Sequence, residues 1–322
     1  MTLIGFHASH EQLAPSALLD HVRHAEQAGF QAAMCSDHFA PWTRAQGHSG
    51  FSWSWLGAAL ATTQLPFGVV TAPGQRMHPA VVAQAIATLG EMFPGRFWAA
   101  LGSGEHLNEH ITGEPWPEKP EREQRLVESV DVMRRLLAGH EVTHDGAVRV
   151  DRARVWSRPT TPPLLIAAAV TPESAASHAA WADGLITVAG DAPAMRAVVQ
   201  AYRDAGGRGP VSAQLHLSWA PDEEEALAIA REQWASGTVG APESWEIAMP
   251  EEFEARTADA SDEAIRRAVT VSSDLGAHEA RVAEVLEAGF DDVYLHHVGQ
   301  EQTAFIDAFG ERVLPRLGVR TA

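Results

Sequence analysis

The stretch LPFGVVTAPGQRMHPAVVAQAIATLGEMFPGRFWAALGSGE, residues 65–105, contains two short apolar runs separated by one longer helical pattern. The runs at 65–72 and 96–104 carry the Val, Phe and Trp residues that favour strands. Pro79 opens the segment between them, because proline suits the first turn of a helix. Strands that are apolar throughout are typical of a parallel sheet covered on both faces. The stretch therefore predicts a strand–helix–strand unit.

The same alternation of short apolar runs and longer helical patterns extends over the whole chain. Further strands are predicted at residues 3–8, 32–37, 163–170, 184–190, 212–221 and 292–298, with a short additional run at 268–273. About eight strand–helix units result, the number that closes a TIM (β/α)8 barrel. A doubly wound open sheet is the alternative, but no strand is followed by the Gly-x-Gly-x-x-Gly turn of dinucleotide-binding folds.

We therefore expect an α/β fold, a TIM (β/α)8 barrel with inserted loops, as one domain over residues 1–322. Residues 236–262 contain Pro, Gly and acidic residues without a clear period, which predicts an insertion. We expect this insertion and a loop at about 43–55 to shape the pocket. Neither segment has a pattern that indicates which substrate it contacts.

Composition limits the possible partners. The formal net charge is −18, and no run of Lys or Arg is present, so nucleic acid is not an expected partner. Cys35 is the single cysteine, which excludes a disulfide within the chain and suits a reducing compartment. The N-terminal residues lack signal-peptide features, and no apolar run is long enough for a membrane helix. These features predict a cytoplasmic protein without a membrane partner.

Polar residues cluster at the predicted carboxyl ends of the strands, where barrels of this type carry their chemistry. In chain order they are His7, Ser9, His10 and Glu11; Ser36, Asp37 and His38, with Trp42 on the loop; Ser103, Glu105, Asn108 and Glu109; and His296 with His297. Each has an ordinary structural explanation, such as a capped turn, a Trp that covers the core, or one buried and one exposed histidine by strand alternation. Their recurrence at a single rim favours a functional site.

Other kinds of site fit the pattern less well. No His-Glu-x-x-His or similarly tight ligand spacing is present, so no metal site is predicted. The run Gly102 to Glu105 does not match the Gly-x-Ser-x-Gly elbow of serine hydrolases. The acidic run 222–225 is best explained as the first turn of a helix, where carboxylates complement the macrodipole.

The ordered combination of ASHEQLAP (8–15), SDHFAPW (36–42), HPAVVAQAIATLGEMFPGRFWAALGSGE (78–105) and GSGEHLNE (102–109) resembles the luciferase-like flavin and F420-dependent oxidoreductase superfamily. The similar branch is the one that contains F420-dependent glucose-6-phosphate dehydrogenases. The likeness extends from Ile4 to about Leu317. It implies a TIM barrel, usually a homodimer, that holds an isoalloxazine-type ring at its mouth.

The resemblance also assigns roles to individual residues. Those expected to take part in hydride transfer are His38, Trp42, Glu105 and Glu11. Those expected to bind the cofactor are Asp37, Val69, Val70, Ser103, Gly104, Asn108, Ala167, Ala168, Ala169, Val170 and Thr187. The family often has a strained non-proline cis peptide in the strand of Val69 and Val70, a bond that costs about 3–4 kcal/mol.

These residue types suit hydride transfer between cofactor N5 and a small organic substrate. A base that removes the hydroxyl proton helps hydride leave an alcohol carbon, and histidine is tunable near neutral pH. Glu105, if dehydrated beside the ring and Trp42, could supply a proton to the reduced cofactor. The cofactor itself performs the electron chemistry.

Two departures from the family bear on the ligands. Asp191 stands at about the position where sugar-phosphate enzymes have a lysine, so glucose 6-phosphate is not the expected substrate. Val170 and Thr171 replace a Gly-Gly pair, although the helix that starts at TPES could still receive a phosphate on its free N–H groups. The sequence therefore leaves F420 and FMN both open as the cofactor.

The type of function also stays open between three alternatives. The first is a dehydrogenase or reductase. The second is an FMN-dependent luciferase-like monooxygenase, which would need a flavin reductase as its partner. The third is a non-catalytic flavin-binding protein.

Overall fold

The computed structural model describes residues 2–318 and contains a closed barrel of eight parallel strands. The strands are β1 (Leu3–Ala8), β2 (Ala32–Ser36), β3 (Phe67–Thr71), β4 (Phe97–Leu101), β5 (Leu164–Ala168), β6 (Leu185–Val188), β7 (Val211–Ser218) and β8 (Asp292–His297). Each strand pairs in parallel with its neighbours in chain order, and β8 pairs with β1 to complete the ring. The predicted TIM-barrel fold is confirmed.

Helices connect the strands on the outside of the barrel and also form the inserted segments. In chain order they are Pro15–Gln27, Ser52–Thr62, Pro79–Met92, His106–Glu109, Lys119–Leu137, Pro172–His178, Ala192–Asp204, Glu223–Trp234, Glu243–Glu246, Pro250–Thr257, Asp262–Ala268, Leu275–Glu287 and Thr303–Arg312, with 3-10 turns at His110–Thr112 and Ala235–Thr238. Asp222 accepts the backbone N–H groups of Glu224 and Glu225, so the acidic run is a helix cap and first turn as predicted.

Three elements differ from the sequence-based expectation. Residues 52–62, partly assigned to a loop, form a helix that is apolar on nearly all sides and therefore shows no amphipathic period. An antiparallel hairpin, Val142–Asp145 with Arg149–Ala153, follows the long helix 119–137. The run at 268–273 contributes only Thr270–Val271, which pairs with β7 outside the barrel ring. Among residues 2–318, no helix has the length and apolar character needed to cross a bilayer.

Side chains inside the barrel pack together in its amino-terminal half. The rings of Trp98 and Tyr294 lie 5.8 Å apart inside the barrel, with Met34 and Ile186 in the same buried cluster. Gly68 lies against the Trp98 ring, and any larger residue there would overlap it. This packing fills the amino-terminal half of the barrel interior, and the larger part of the interior space faces the carboxyl ends of the strands, where barrels of this type carry their sites.

Candidate active site

A cavity of about 250 Å³ lies at the carboxyl ends of the strands. It is lined by thirteen of the fifteen residues that the sequence predicts for the site: Glu11, Asp37, His38, Trp42, Val70, Ser103, Gly104, Glu105, Asn108, Ala168, Ala169, Val170 and Thr187. These residues come from the ends of six strands, β1 to β6, which are far apart in the chain. The predicted rim therefore surrounds one cavity.

Val69 and Ala167 are the two predicted residues that do not line the cavity. Both are fully buried in the core between barrel and helices, whereas Val70 and Ala168 line the cavity. Successive side chains of a strand point to opposite faces, so neighbours in sequence cannot both face the barrel interior. Val69 and Ala167 can therefore reach a cofactor only through backbone atoms, and their cofactor contact stays a prediction.

The peptide bond between Val69 and Val70 is trans. In the described part of the chain, the only cis peptide bond precedes Pro242. The expectation of a cis bond in β3, which came from the family resemblance, is therefore wrong for this structure.

His38 lies between two carboxylates at the cavity wall. Its Nδ1 atom is 3.4 Å from Oε1 of Glu11, and its Nε2 atom is 3.8 Å from Oε2 of Glu105. Nδ1 is enclosed by protein, so Nε2 is the nitrogen that a ligand can reach. The loop that follows β2 and the loops that follow β1 and β4 each contribute one of the three groups.

The two carboxylates have different surroundings. Glu11 is buried, and its Oε2 atom accepts a 2.7 Å hydrogen bond from the hydroxyl of Ser9. Glu105 accepts a 3.3 Å hydrogen bond from the side-chain amide of Asn108. The Oδ1 atom of the same amide accepts a hydrogen bond from the backbone N–H of Phe39. Burial raises the pKa of Glu105, while nearby His38 lowers it and Glu11 raises it further. Glu105 is therefore protonated more readily than a solvent-exposed glutamate.

Trp42 is held over His38 by the inserted segment. The two rings are 5.1 Å apart, and the Trp42 ring meets Phe253 edge-on at 5.3 Å. Phe253 belongs to the helix 250–257 within the predicted insertion. Gln46 accepts the backbone N–H of Trp42 and so anchors the loop itself. The insertion thus determines where the aromatic wall stands.

The carboxylate of Asp37 is fully engaged by protein donors. It accepts hydrogen bonds from Ser52 (2.9 Å), Trp53 (3.2 Å), Thr71 (3.0 Å) and Arg76 (2.9 Å). Its side chain has no exposed surface, although the residue borders the cavity. The carboxylate therefore ties β2, β3 and the helix 52–62 together, and the predicted ring contact of Asp37 remains a prediction for its backbone only.

A second polar group occupies the other end of the cavity. The hydroxyl of Ser103 donates to Glu123 at 3.2 Å, and the other oxygen of Glu123 is 3.3 Å from His178 Nε2. Lys119 also lines the cavity, with its ammonium group 5.0 Å from the centre of the Trp245 ring. The sequence-based list contained Ser103 but missed Glu123, His178, Lys119 and Trp245, because these four lie on helices and in the insertion rather than at strand ends.

The floor of the cavity is formed by His7, Gln214, His216, Trp234 and His296. The sequence placed His7 and His296 at the rim without assigning them a role, and it did not single out the other three. Burial lowers the pKa of His7 and His296, and it lowers the pKa of His216 to about 4. These imidazoles are therefore neutral near pH 7. Side-chain alternation along the strands is the sequence pattern that could have predicted that the strand residues among them face the barrel interior.

His297 also departs from expectation. It faces outward as alternation predicts, but it is buried because its ring stacks on Phe305 of the last helix at 4.9 Å. The expected exposed histidine of the pair is thus a core residue.

Carboxylates dominate the charge around the cavity. Its charged lining residues in the described chain are Glu11, Asp37, Glu105, Glu109, Glu123 and a single cation, Lys119. Asp191, expected near the substrate, lies outside the cavity and caps the helix 192–204 by accepting the Ala194 N–H at 2.8 Å. The argument against an anionic substrate therefore depends on the acids that line the cavity and not on Asp191.

The helix start at residues 171–174 is already capped. The hydroxyl of Thr171 accepts the backbone N–H of Ser174 at 3.2 Å, and the helix has only seven residues. This leaves fewer free donors for a phosphate than the sequence suggested. No group of three metal-ligating side chains with suitable geometry is present in residues 2–318.

The chain is similar to known proteins in family, sequence and structure. The family model described as luciferase-like monooxygenase matches residues 1–305. An F420-dependent glucose-6-phosphate dehydrogenase of Nakamurella multipartita is 36% identical, over 97% of this chain and 96% of its own. An F420-dependent hydroxymycolic acid dehydrogenase of Mycobacterium tuberculosis is 34% identical, over 98% and 88%.

Solved structures resemble this chain over nearly its whole length. An F420-dependent secondary alcohol dehydrogenase, in complex with an F420–acetone adduct, superimposes with a TM-score of 0.90 at 30% identity, over 98% of this chain and 99% of that one. A long-chain alkane monooxygenase with a TM-score of 0.74 is only 15% identical and shares the fold alone. The chain therefore belongs to the luciferase-like family of oxidoreductases.

Proposed function

We propose that this protein is an F420-dependent dehydrogenase that transfers hydride between an uncharged secondary alcohol and position 5 of the deazaflavin ring. The observation that carries the proposal is the position of His38 between Glu11 and Glu105 at the cavity wall. A histidine flanked by carboxylates is suited to remove a hydroxyl proton and to bear the resulting charge. The relatives named for F420 favour this cofactor over FMN.

The cavity walls fit a flat ring. Gly102 and Ala168 lie side by side at the ends of the adjacent strands β4 and β5, and a Cβ atom built at Gly102 would lie 3.7 Å from that of Ala168. Ala169 and Gly104 continue this small-residue lining. Small side chains allow a planar group to approach the backbone closely. Bound there, the ring would supply the hydride-accepting carbon, and the chain would supply the proton chemistry.

His38 Nε2 is the atom that takes the hydroxyl proton in this proposal, as hydride leaves the alcohol carbon. Glu11, 3.4 Å from Nδ1, stabilises the imidazolium that forms. The raised pKa of Glu105, caused first by burial, suits it to hold a proton near the reacting centre. Trp42 covers His38 and keeps bulk water away from this step.

The charge and polarity of the cavity support an uncharged substrate. Acidic side chains outnumber the single lysine in the cavity lining, and a phosphorylated sugar would add negative charge among them. Trp42, Trp234 and Trp245 provide apolar surface instead. The relative named for a secondary alcohol is consistent with such a substrate.

The first test is a fluorescence titration of the protein with F420 and, separately, with FMN. We expect F420 to bind at least about tenfold more tightly. The F420-loaded protein is then mixed anaerobically with 2-propanol or with glucose 6-phosphate, and reduction is followed by the loss of cofactor absorbance. We expect reduction by the alcohol only.

Other outcomes would refute the proposal in distinguishable ways. Faster turnover of glucose 6-phosphate than of any uncharged alcohol would refute the substrate class. Tighter FMN binding, with oxygen consumption in the presence of a flavin reductase, would favour the monooxygenase. Ring binding without any hydride transfer would favour a non-catalytic flavin-binding protein.

A further inference from the structure

A chain of hydrogen bonds runs through the cavity floor from one backbone carbonyl. The side-chain amide of Gln12 donates to the carbonyl oxygen of Val298, so its Oε1 atom is an acceptor. His296 Nε2 lies 2.7 Å from that oxygen and must therefore carry the proton. Burial lowers the pKa of His296, so its Nδ1 atom bears a lone pair.

The chain continues from His296 to β7. Gln214 places its Nε2 atom 3.3 Å from His296 Nδ1 and 3.1 Å from His216 Nε2. His216 and His296 are opposite each other in the register of β7 and β8. Since Gln214 Nε2 donates to both imidazoles, His216 Nε2 is also an acceptor. Neutral His216 therefore carries its proton on Nδ1.

Two atoms at the end of this chain have no protein partner in the described residues. They are Oε1 of Gln214, an acceptor, and Nδ1–H of His216, a donor. Both residues line the cavity, and neither atom is among the enclosed polar atoms that lack a partner. The Val298 carbonyl thus determines which of these two atoms donates and which accepts, through the hydrogen bonds of Gln12, His296 and Gln214.

We propose that Gln214 and His216 bind a cyclic amide edge, in which a ring N–H lies beside a ring carbonyl. The ring N–H would donate to Gln214 Oε1, and the carbonyl would accept from His216 Nδ1–H. This inference rests on the proposed function, because flavin and deazaflavin rings both carry such an edge at N3. Gln214 and His216 thereby orient the ring relative to His38.

The test uses the isolated rings and compares each with its N3-methyl derivative. The probes are lumiflavin and the 8-hydroxy-5-deazaflavin ring, titrated into the full-length protein by fluorescence. The methyl group removes the donor and leaves Gln214 Oε1 unpaired, so we expect at least one ring to bind about tenfold or more weakly when methylated.

Two variants separate the contact from a structural role. Gln214→Leu should weaken binding of the unmethylated ring and abolish the methyl discrimination. His216→Phe should weaken binding but retain most of that discrimination. Gln84→Leu, on an exposed helix position, is the control and should change neither quantity. The affinity ratio is informative here, because a purely structural role would weaken both probes equally.

Several results would overturn the inference. Equal binding of methylated and unmethylated rings by the wild-type protein would refute it and leave the proposed function intact. Persistent discrimination in Gln214→Leu would likewise refute the role of Gln214. If neither ring binds at any concentration, both the inference and the proposed function are refuted.

Discussion

Replacing Asp37 with asparagine is expected to destabilise the fold more than it weakens cofactor binding. The Asp37 carboxylate has no exposed surface, and the side chain of Arg76, its cationic partner, is 8% exposed. At their separation of 2.9 Å, the attraction is roughly 6 kcal/mol at an effective dielectric constant of about 20, which is an upper bound. Breaking a buried pair by removing one partner costs about 3–5 kcal/mol.

The expected loss lies near the lower end of that range. Glu109 Oε1 remains 3.7 Å from Arg76 Nε and partly compensates the cation. The substituted asparagine side chain would also keep one acceptor oxygen for Ser52 or Thr71. We therefore expect a decrease of about 3 kcal/mol in the free energy of unfolding. For 322 residues, at about 2.1 cal/mol/K each, this corresponds to a decrease of roughly 4 °C in Tm.

Urea unfolding followed by tryptophan fluorescence measures the loss, and a ring titration under native conditions measures affinity. Asp20→Asn is the control, because its pair with Arg23 is exposed and should contribute less than about 0.5 kcal/mol. We expect the affinity of Asp37→Asn to stay within about tenfold of wild type. A decrease below about 1 kcal/mol in the free energy of unfolding, together with a more than about tenfold loss of ring affinity, would show that the carboxylate contributes to ligand binding instead.

Three further variants test other parts of the site. His38→Ala should lower kcat by about a hundredfold or more while cofactor affinity stays within about tenfold; normal turnover would remove His38 from the mechanism. Burial lowers the pKa of His10 from 6.5 to about 4, so between these two pH values His10 is protonated in the unfolded chain but not in the folded one. The stability present above pH 6.5 is therefore lost as the pH falls toward 4. His10→Phe should therefore reduce the slope of unfolding free energy against pH in that window by about 1.4 kcal/mol per pH unit, and an unchanged slope would contradict the assignment. Glu246→Ala removes the 2.8 Å contact with buried Arg122, so we expect at least about fivefold faster limited proteolysis near Trp245; equal cleavage rates would show that this contact does not hold the segment.

The sequence predicted the positions of strand ends better than the direction of side chains. His38, Trp42 and Glu105 follow strands that have clear apolar patterns, and all three line the cavity. Val69 was assigned to the site with Val70, although only one of two adjacent strand residues can face inward. The helix 52–62 was missed because a helix buried on most sides shows no amphipathic period.

Partners from distant segments were beyond any local pattern. Nothing near Asp37 in the sequence indicates that Arg76 will neutralise it, or that Ser52 will bond the same carboxylate. Gln12 and Gln214 are about two hundred residues apart in the chain and are joined only through His296. Such contacts depend on how the barrel closes and on which rotamers its packing permits.

The sequence by itself determined the architecture, the rim on which the chemistry lies and the family resemblance, because these depend on local apolar periodicity and on short motifs. Only the tertiary structure decided which groups share the cavity, which carboxylate is already occupied, and which atoms of the floor remain free to bind. The physical reason is that pKa values and hydrogen-bond roles are set by burial and by neighbours within a few ångströms. Closure of the barrel brings those neighbours together from opposite ends of the chain.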